Sequence, residues 1–104
     1  MEAVSKKAKK IKNVQQEIKL IDGTFNPTEA ADIIDSILDV KINHHKLKRL
    51  SITEGNAKDL CMYDNDRINE LIDAKLDAKL FFNDARLNNK KLIIESTVTI
   101  KIED

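Results

Sequence analysis

The C-terminal residues of this chain alternate with a period of two. Leu92, Ile94, Ser96, Val98, Ile100 and Ile102 fall on one face, and Ile93, Glu95, Thr97, Thr99 and Lys101 on the other. This pattern predicts a β-strand over Leu92–Ile102. Such a strand cannot stand alone, because its amide and carbonyl groups need a ladder. The candidates for a partner are the short alternating segment Glu17–Ile21, the same strand of a second copy, or both.

The residues between the two strand candidates read as two helices. Asp22–Pro27 predicts a turn, with Asn26 placed to cap, Pro27 in the first helical position and Glu29 completing a capping box. Ala30, Ile33, Ile37, Val40, His44 and Leu47 then form one row at helical spacing, which predicts a helix from Pro27 to about Leu50. Ser51–Tyr63 breaks that row, and Thr53-Glu54-Gly55-Asn56 reads as a loop. Asp64 is placed as the cap of a second helix, with Asp66 favouring its N-terminus and Tyr63 and Ile68 spaced as a hydrophobic staple. Ile68, Leu71, Ile72, Leu76, Leu80, Phe81, Phe82 and Leu87 cover more than half of its circumference. Only a strip around Asp73, Asp77 and Asp84 stays strongly polar, so this helix asks for two neighbours. Asn88-Asn89 suits its end.

The expected fold class is therefore α+β: two long helices forming a hairpin, packed with a C-terminal strand that pairs with an N-terminal strand or with another subunit. Residues 17–104 are expected to form a single domain. Residues 1–16 read as a basic arm or helix, because Val4, Ala8, Ile11 and Val14 keep three-and-four spacing beneath Lys6, Lys7, Lys9, Lys10 and Lys12. A helix is expected over Ser5–Gln16 and a strand over Glu17–Ile21.

Composition narrows the function classes. At 104 residues with 41% hydrophobic and 35% charged side chains, the core is thin, and oligomerisation is a natural supplement. Eighteen bases against eighteen acids leave no global field to draw in a polyanion. Two glycines and one proline leave no Gly-rich phosphate cradle. The lone Cys61 has no disulfide partner. No secretory pattern accompanies it, and no apolar run approaches the roughly 20 residues that span a bilayer, so a cytoplasmic, non-membrane protein is expected.

The candidate ligand-binding residues are Lys41, His44, His45, Lys48 and Arg49, a basic patch able to hold a phosphate or an acidic partner. The same run also complements the helix dipole, with acids first and bases last, and His44 sits in the apolar row like a core or interface histidine. Adjacent histidines diverge by about 100° on a helix and cannot easily grip one ion, so no metal is expected. No cofactor and no catalytic residue are expected either. Cys61 lies in an apolar and acidic setting that raises a thiol pKa, and no nucleophile triad is legible, which leaves His45 as a conceivable base. The N-terminal lysines read as a solvated arm, with an arm that contacts nucleic-acid phosphate as the alternative. Nucleic acid is not favoured as a partner, because aromatic residues make up 4% and stacking platforms are missing.

The run Leu20-Ile21-Asp22-Gly23-Thr24-Phe25-x-Pro27-x-Glu29-Ala30, with Lys41-Ile42-Asn43-x-His45 and Ser51-x-x-Glu54 after it, resembles small uncharacterised proteins of bacteria and phages. The resemblance spans about Leu20 to Ile102 and departs at Gly55-Asn56, where a longer polar loop is expected. It implies that residues 1–17 are an appended arm, and it implies no activity. The function expected from the residues is that of a non-enzymatic, homo-oligomeric interaction protein, binding a protein or small anion at a subunit interface. The alternative is a binder of nucleotide messengers or nucleic acid, using the basic patch.

Overall fold

The computed structural model of the chain describes residues 15–103. The lysine arm and most of the helix expected over Ser5–Gln16 lie outside the described residues. Gln15 and Gln16, expected to be helical, instead begin a strand. Four elements follow in order: β1 (Gln15–Phe25), α1 (Pro27–Gly55), α2 (Met62–Leu87) and β2 (Leu92–Lys101). The fold is α+β, with the two long helices packed as a hairpin and the two strands paired antiparallel. The strands and the helical hairpin form two compact units, the hairpin spanning Thr24–Leu92.

In the strand unit, the long C-terminal alternation finds its ladder on β1. The more covered side chains of β2 are Leu92, Ile94 and Ser96, the face expected from the alternation. β1 is longer than the Glu17–Ile21 segment expected. It runs through Asp22-Gly23 to Phe25, where a turn was expected, and Ile21, Gly23 and Phe25 are its half-covered positions. A ten-residue partner strand rewards continued pairing, and this tertiary ladder overrides the local turn preference of Asp-Gly.

In the hairpin unit, α1 starts as the capping signals require. The Asn26 side chain accepts a hydrogen bond from the Glu29 amide at 2.8 Å, and the Glu29 carboxylate accepts one from the Asn26 amide at 3.1 Å. The helix continues to Gly55, beyond the expected end at Leu50. Ile52 is half-buried, and the Thr53 hydroxyl donates back to the Arg49 and Leu50 carbonyls at 3.1 and 3.0 Å, so the threonine is accommodated inside the helix. The connection is the short segment 56–61. Asp59 takes the Cys61 amide on its carboxylate at 2.8 Å, and Asn65 donates to the Leu60 carbonyl at 2.9 Å.

Cys61 is the N-cap of α2 and adopts a left-handed conformation with φ 50°, which costs about 1–2 kcal/mol in a non-glycine residue. Asp64, expected as that cap, lies inside the helix and is buried. Tyr63, expected in a staple, lies within the first turn and is exposed. The far end of α2 closes at the expected residues. Asn89 is left-handed at φ 53°, its amide donates to the Arg86 carbonyl, and the Lys90 amide donates to the Ala85 carbonyl, a Schellman end.

The hairpin core is a narrow seam. From α2, Asp64, Ile68, Leu71, Lys75, Ala78, Phe82 and Ala85 are buried or half-buried, separated alternately by four and three residues as in a coiled coil. From α1, Ala30, Ile42 and His45 are buried, with Ile34, Leu38, Arg49 and Ile52 partly so. The expected row of α1 is not the one that packs. Ile37, Val40, His44 and Leu47 are exposed, and His45 is the buried histidine. Both rows have helical spacing, so periodicity does not separate them. Polar partners on α2 do, because His45 meets Asp64 and Arg49 meets Asn65.

Replacing Asn26 by Ala removes the side-chain half of the capping box. The loss is expected to be about 1 kcal/mol of unfolding free energy, read from urea denaturation by circular dichroism, with Asn26→Asp retaining most of the stability.

Candidate functional site

The most unusual chemistry of the hairpin lies beside its turn. His45 and Asp64 are buried, at 3% and 2% exposure, with Nδ1 of the imidazole 2.9 Å from Oδ1 of the carboxylate. His45 Nε2 is buried and has no hydrogen-bond partner among the described residues. The ring meets His44 edge-on at 5.3 Å and Tyr63 at 6.2 Å. One turn further along α1, the Arg49 guanidinium donates to the Asn65 side chain at 2.7 Å. Midway along the helices Lys75 donates to Asp39 at 2.6 Å, and at their other end Arg86 reaches the Thr28 hydroxyl at 3.5 Å. His45–Asp64, Asp39–Lys75 and Thr28–Arg86 thus pair falling numbers on α1 with rising numbers on α2 and label the antiparallel register. A buried polar pair of this kind is costly to leave half-made, which gives it leverage over register.

The five candidate ligand residues divide between two roles. His45 and Arg49 face α2 and are bonded to it. Lys41, His44 and Lys48 are exposed and lie on one outward strip, three and four residues apart. The Lys48 ammonium stands 5.8 Å from the centre of the Tyr63 ring, a cation–π contact that leaves the lysine at the surface.

A second set of cations was not singled out in the sequence. A groove of about 490 Å³ in the hairpin is lined by Ala31, Asp35, Lys75, Lys79, Phe82 and Arg86 among others. Lys75 has its pKa raised, first by the hydrogen bond to Asp39 and in spite of partial desolvation. Arg86 also donates to Asn83 at 2.8 Å. The four- and seven-residue spacing of these cations on α2 was the available signal. Interspersed leucines and phenylalanines masked it.

Cys61 is buried, and its thiol pKa is pushed up, first by burial and then by the Asp59 and Asp64 carboxylates. Its Sγ lies 3.8 Å from the Arg49 and Asp59 carbonyl oxygens. Among the described residues, no group of three or more His, Cys, Asp or Glu is gathered as metal ligands would be. No helix there is long and apolar enough to cross a membrane.

The hairpin also exposes apolar side chains. On α1, Val40 is 71% and Leu47 67% exposed, in line with Ile37 and the half-covered Ile33. On α2, Ile72, Leu76, Leu80, Phe81 and Leu87 are exposed. The breadth of the apolar arc expected of α2 is therefore present, and α1 covers only part of it. Searches of protein-family models, curated proteins and solved structures find no match to the chain.

Asp64→Ala strands the buried imidazole and is expected to cost about 3 kcal/mol in urea unfolding. Replacing the pair together, His45→Leu with Asp64→Leu, is expected to recover most of that loss. An Asp64→Ala variant as stable as the parent would contradict the role given to the pair.

Proposed function

We propose that the chain is a non-enzymatic interaction protein that works as a homo-oligomer. The observation that carries this reading is the exposed apolar row of α1, together with the uncovered leucines of α2. Surface leucines scattered singly need no explanation, but rows of them on two helices mark an association surface. A hairpin of two helices buries one side of each. A further copy supplies cover for the remaining rows without any new sequence being needed, and small domains commonly gain stability this way.

The outward strip Lys41, His44 and Lys48 supports a second reading as the anion-binding element of such an assembly. Symmetry would bring two strips into one particle and strengthen a local field that the zero net charge hides. The ligand class would be a nucleotide messenger or a nucleic-acid phosphate. His45 and Arg49, both occupied by α2, would act there by holding the strip in place.

Light scattering on the eluting peak at micromolar concentration is expected to give a multiple of 11.9 kDa, and a monomer would refute self-association. For the second reading, a panel of nucleotides and cyclic dinucleotides is expected to include one that raises the melting temperature. Lys48→Glu is expected to remove that rise. No response across the panel, or a response that survives Lys48→Glu, would refute it.

A further inference from the structure

We propose that two copies of this chain join their β2 strands edge to edge, antiparallel, about a two-fold axis at Thr97. This rests on the homo-oligomeric reading and adds to it a contact in the strand unit, separate from the helical rows. Among the described residues the sheet has two strands, so each strand has one edge without a neighbour there. Two strands alone are marginal in water, and further strands are what stabilise such a ladder. The apolar face of β2 is also half finished. Leu92, Ile94 and Ser96 are half-covered, whereas Val98, Ile100 and Ile102 further along the same alternation are exposed. β1 is the poorer edge, because Glu17, Lys19 and Asp22 charge it and Gly23 weakens it. From Leu92 to Ile100, β2 carries one charge, Glu95.

The charges of β2 and its flanks select a second copy and its register. Lys91, Glu95, Lys101 and Glu103 all fall on the polar face of the alternation, and all are exposed. A parallel copy in register would set each beside its own like. In an antiparallel pair opposite residues share a face, so an axis through a residue continues the apolar face of one β2 into that of the other. An axis at Ser96 opposes Lys91 to Lys101, and one at Thr99 opposes Glu95 to Glu103. Both are like-charge pairs, which destabilise a ladder. An axis at Val98 opposes Glu95 to Lys101 but sets Ile93 against Glu103 and leaves Lys91 unmatched. The axis at Thr97 opposes Lys91 to Glu103 at both ends, with Lys101 diagonal to Glu95 and Ile93 against the aliphatic stem of Lys101. On the other face it sets Leu92 beside Ile102 and Ile94 beside Ile100. The covered half of one strand thereby completes the exposed half of the other. The contact is isologous, closes as a dimer and leaves β1 at both outer edges of a four-stranded sheet.

Cysteine cross-linking tests the register, using the full chain with Cys61→Ser as the parent and a short bifunctional maleimide. Thr97→Cys is expected to cross-link to itself in high yield. Ile93→Cys and Lys101→Cys are each expected to give little dimer alone and abundant dimer when mixed. All three positions are exposed, and circular dichroism of each variant checks that the fold is retained. A charge exchange in the native chain gives a second reading that needs no cysteine. Lys91→Glu is expected to weaken association about fivefold, and adding Glu103→Lys in the same chain is expected to restore it. The two residues stand at opposite ends of one strand, so the rescue reports a contact between copies. Self-linking of Ile93→Cys with no mixed product would mean a parallel pair and overturn the proposal, as would a Lys91→Glu defect that Glu103→Lys leaves unrepaired. An oligomeric parent in which none of the three positions cross-links would place association on another surface, such as the helical rows. That result leaves the homo-oligomeric reading intact and overturns this one. A monomeric parent by light scattering removes both.

Discussion

The His45–Asp64 contact governs the rest of the hairpin. α1 offers two rows of comparable spacing, and apolar burial alone gives little reason for α2 to choose between them. The buried imidazole and carboxylate break that degeneracy, because each has its partner only when the His45 row faces α2. Arg49 with Asn65 and Asp39 with Lys75 repeat the choice at intervals along the helices. Such pairs add little net stability when exposed, and their weight lies in the cost of the wrong alignment. The energetic load still falls on Ile42, Ile68, Phe82 and the alanines around them.

That choice has a consequence at the surface. Turning the His45 row inward turns Val40, His44 and Leu47 outward, with Lys41 and Lys48 beside them. The polar contacts that specify the hairpin therefore also expose the apolar row available for association and the bases available for an anion. Small alanines at positions 30, 78 and 85 keep the seam narrow, which limits how much of each helix one neighbour can cover. The thin core expected from the length and composition is realised as this geometry.

Much of the architecture was legible in the residues. The Asn26-Pro27-Glu29 start, the Asn88-Asn89 end and the C-terminal alternation are local signals, and each lies where its chemistry is satisfied. Local signal and structure differ where a distant partner decides the outcome. Asp22-Gly23 favours a turn locally but is held in a strand by β2. Thr53-Glu54-Gly55 resembles a loop, yet the half-buried Ile52 and the back-bonded Thr53 keep it helical. Asp64 has the composition of a cap and is instead the acceptor for a histidine nineteen residues earlier. The candidate basic patch was found as a sequence cluster, but periodicity could not show that His45 and Arg49 turn inward while Lys41, His44 and Lys48 turn outward. The groove cations Lys75, Lys79 and Arg86 are spread over twelve residues of α2 and form no cluster in the sequence.

Hydroxyl-radical footprinting across a dilution series measures both rows of α1 in one experiment. In concentrated protein, Val40 and Leu47 are expected to be protected along with Ile42 and Ile68. On dilution below the dissociation constant, Val40 and Leu47 are expected to become reactive while Ile42 and Ile68 stay protected. Ile42 becoming reactive with Val40 still covered would show that α2 packs on the other row, contrary to the register assigned to His45 and Asp64.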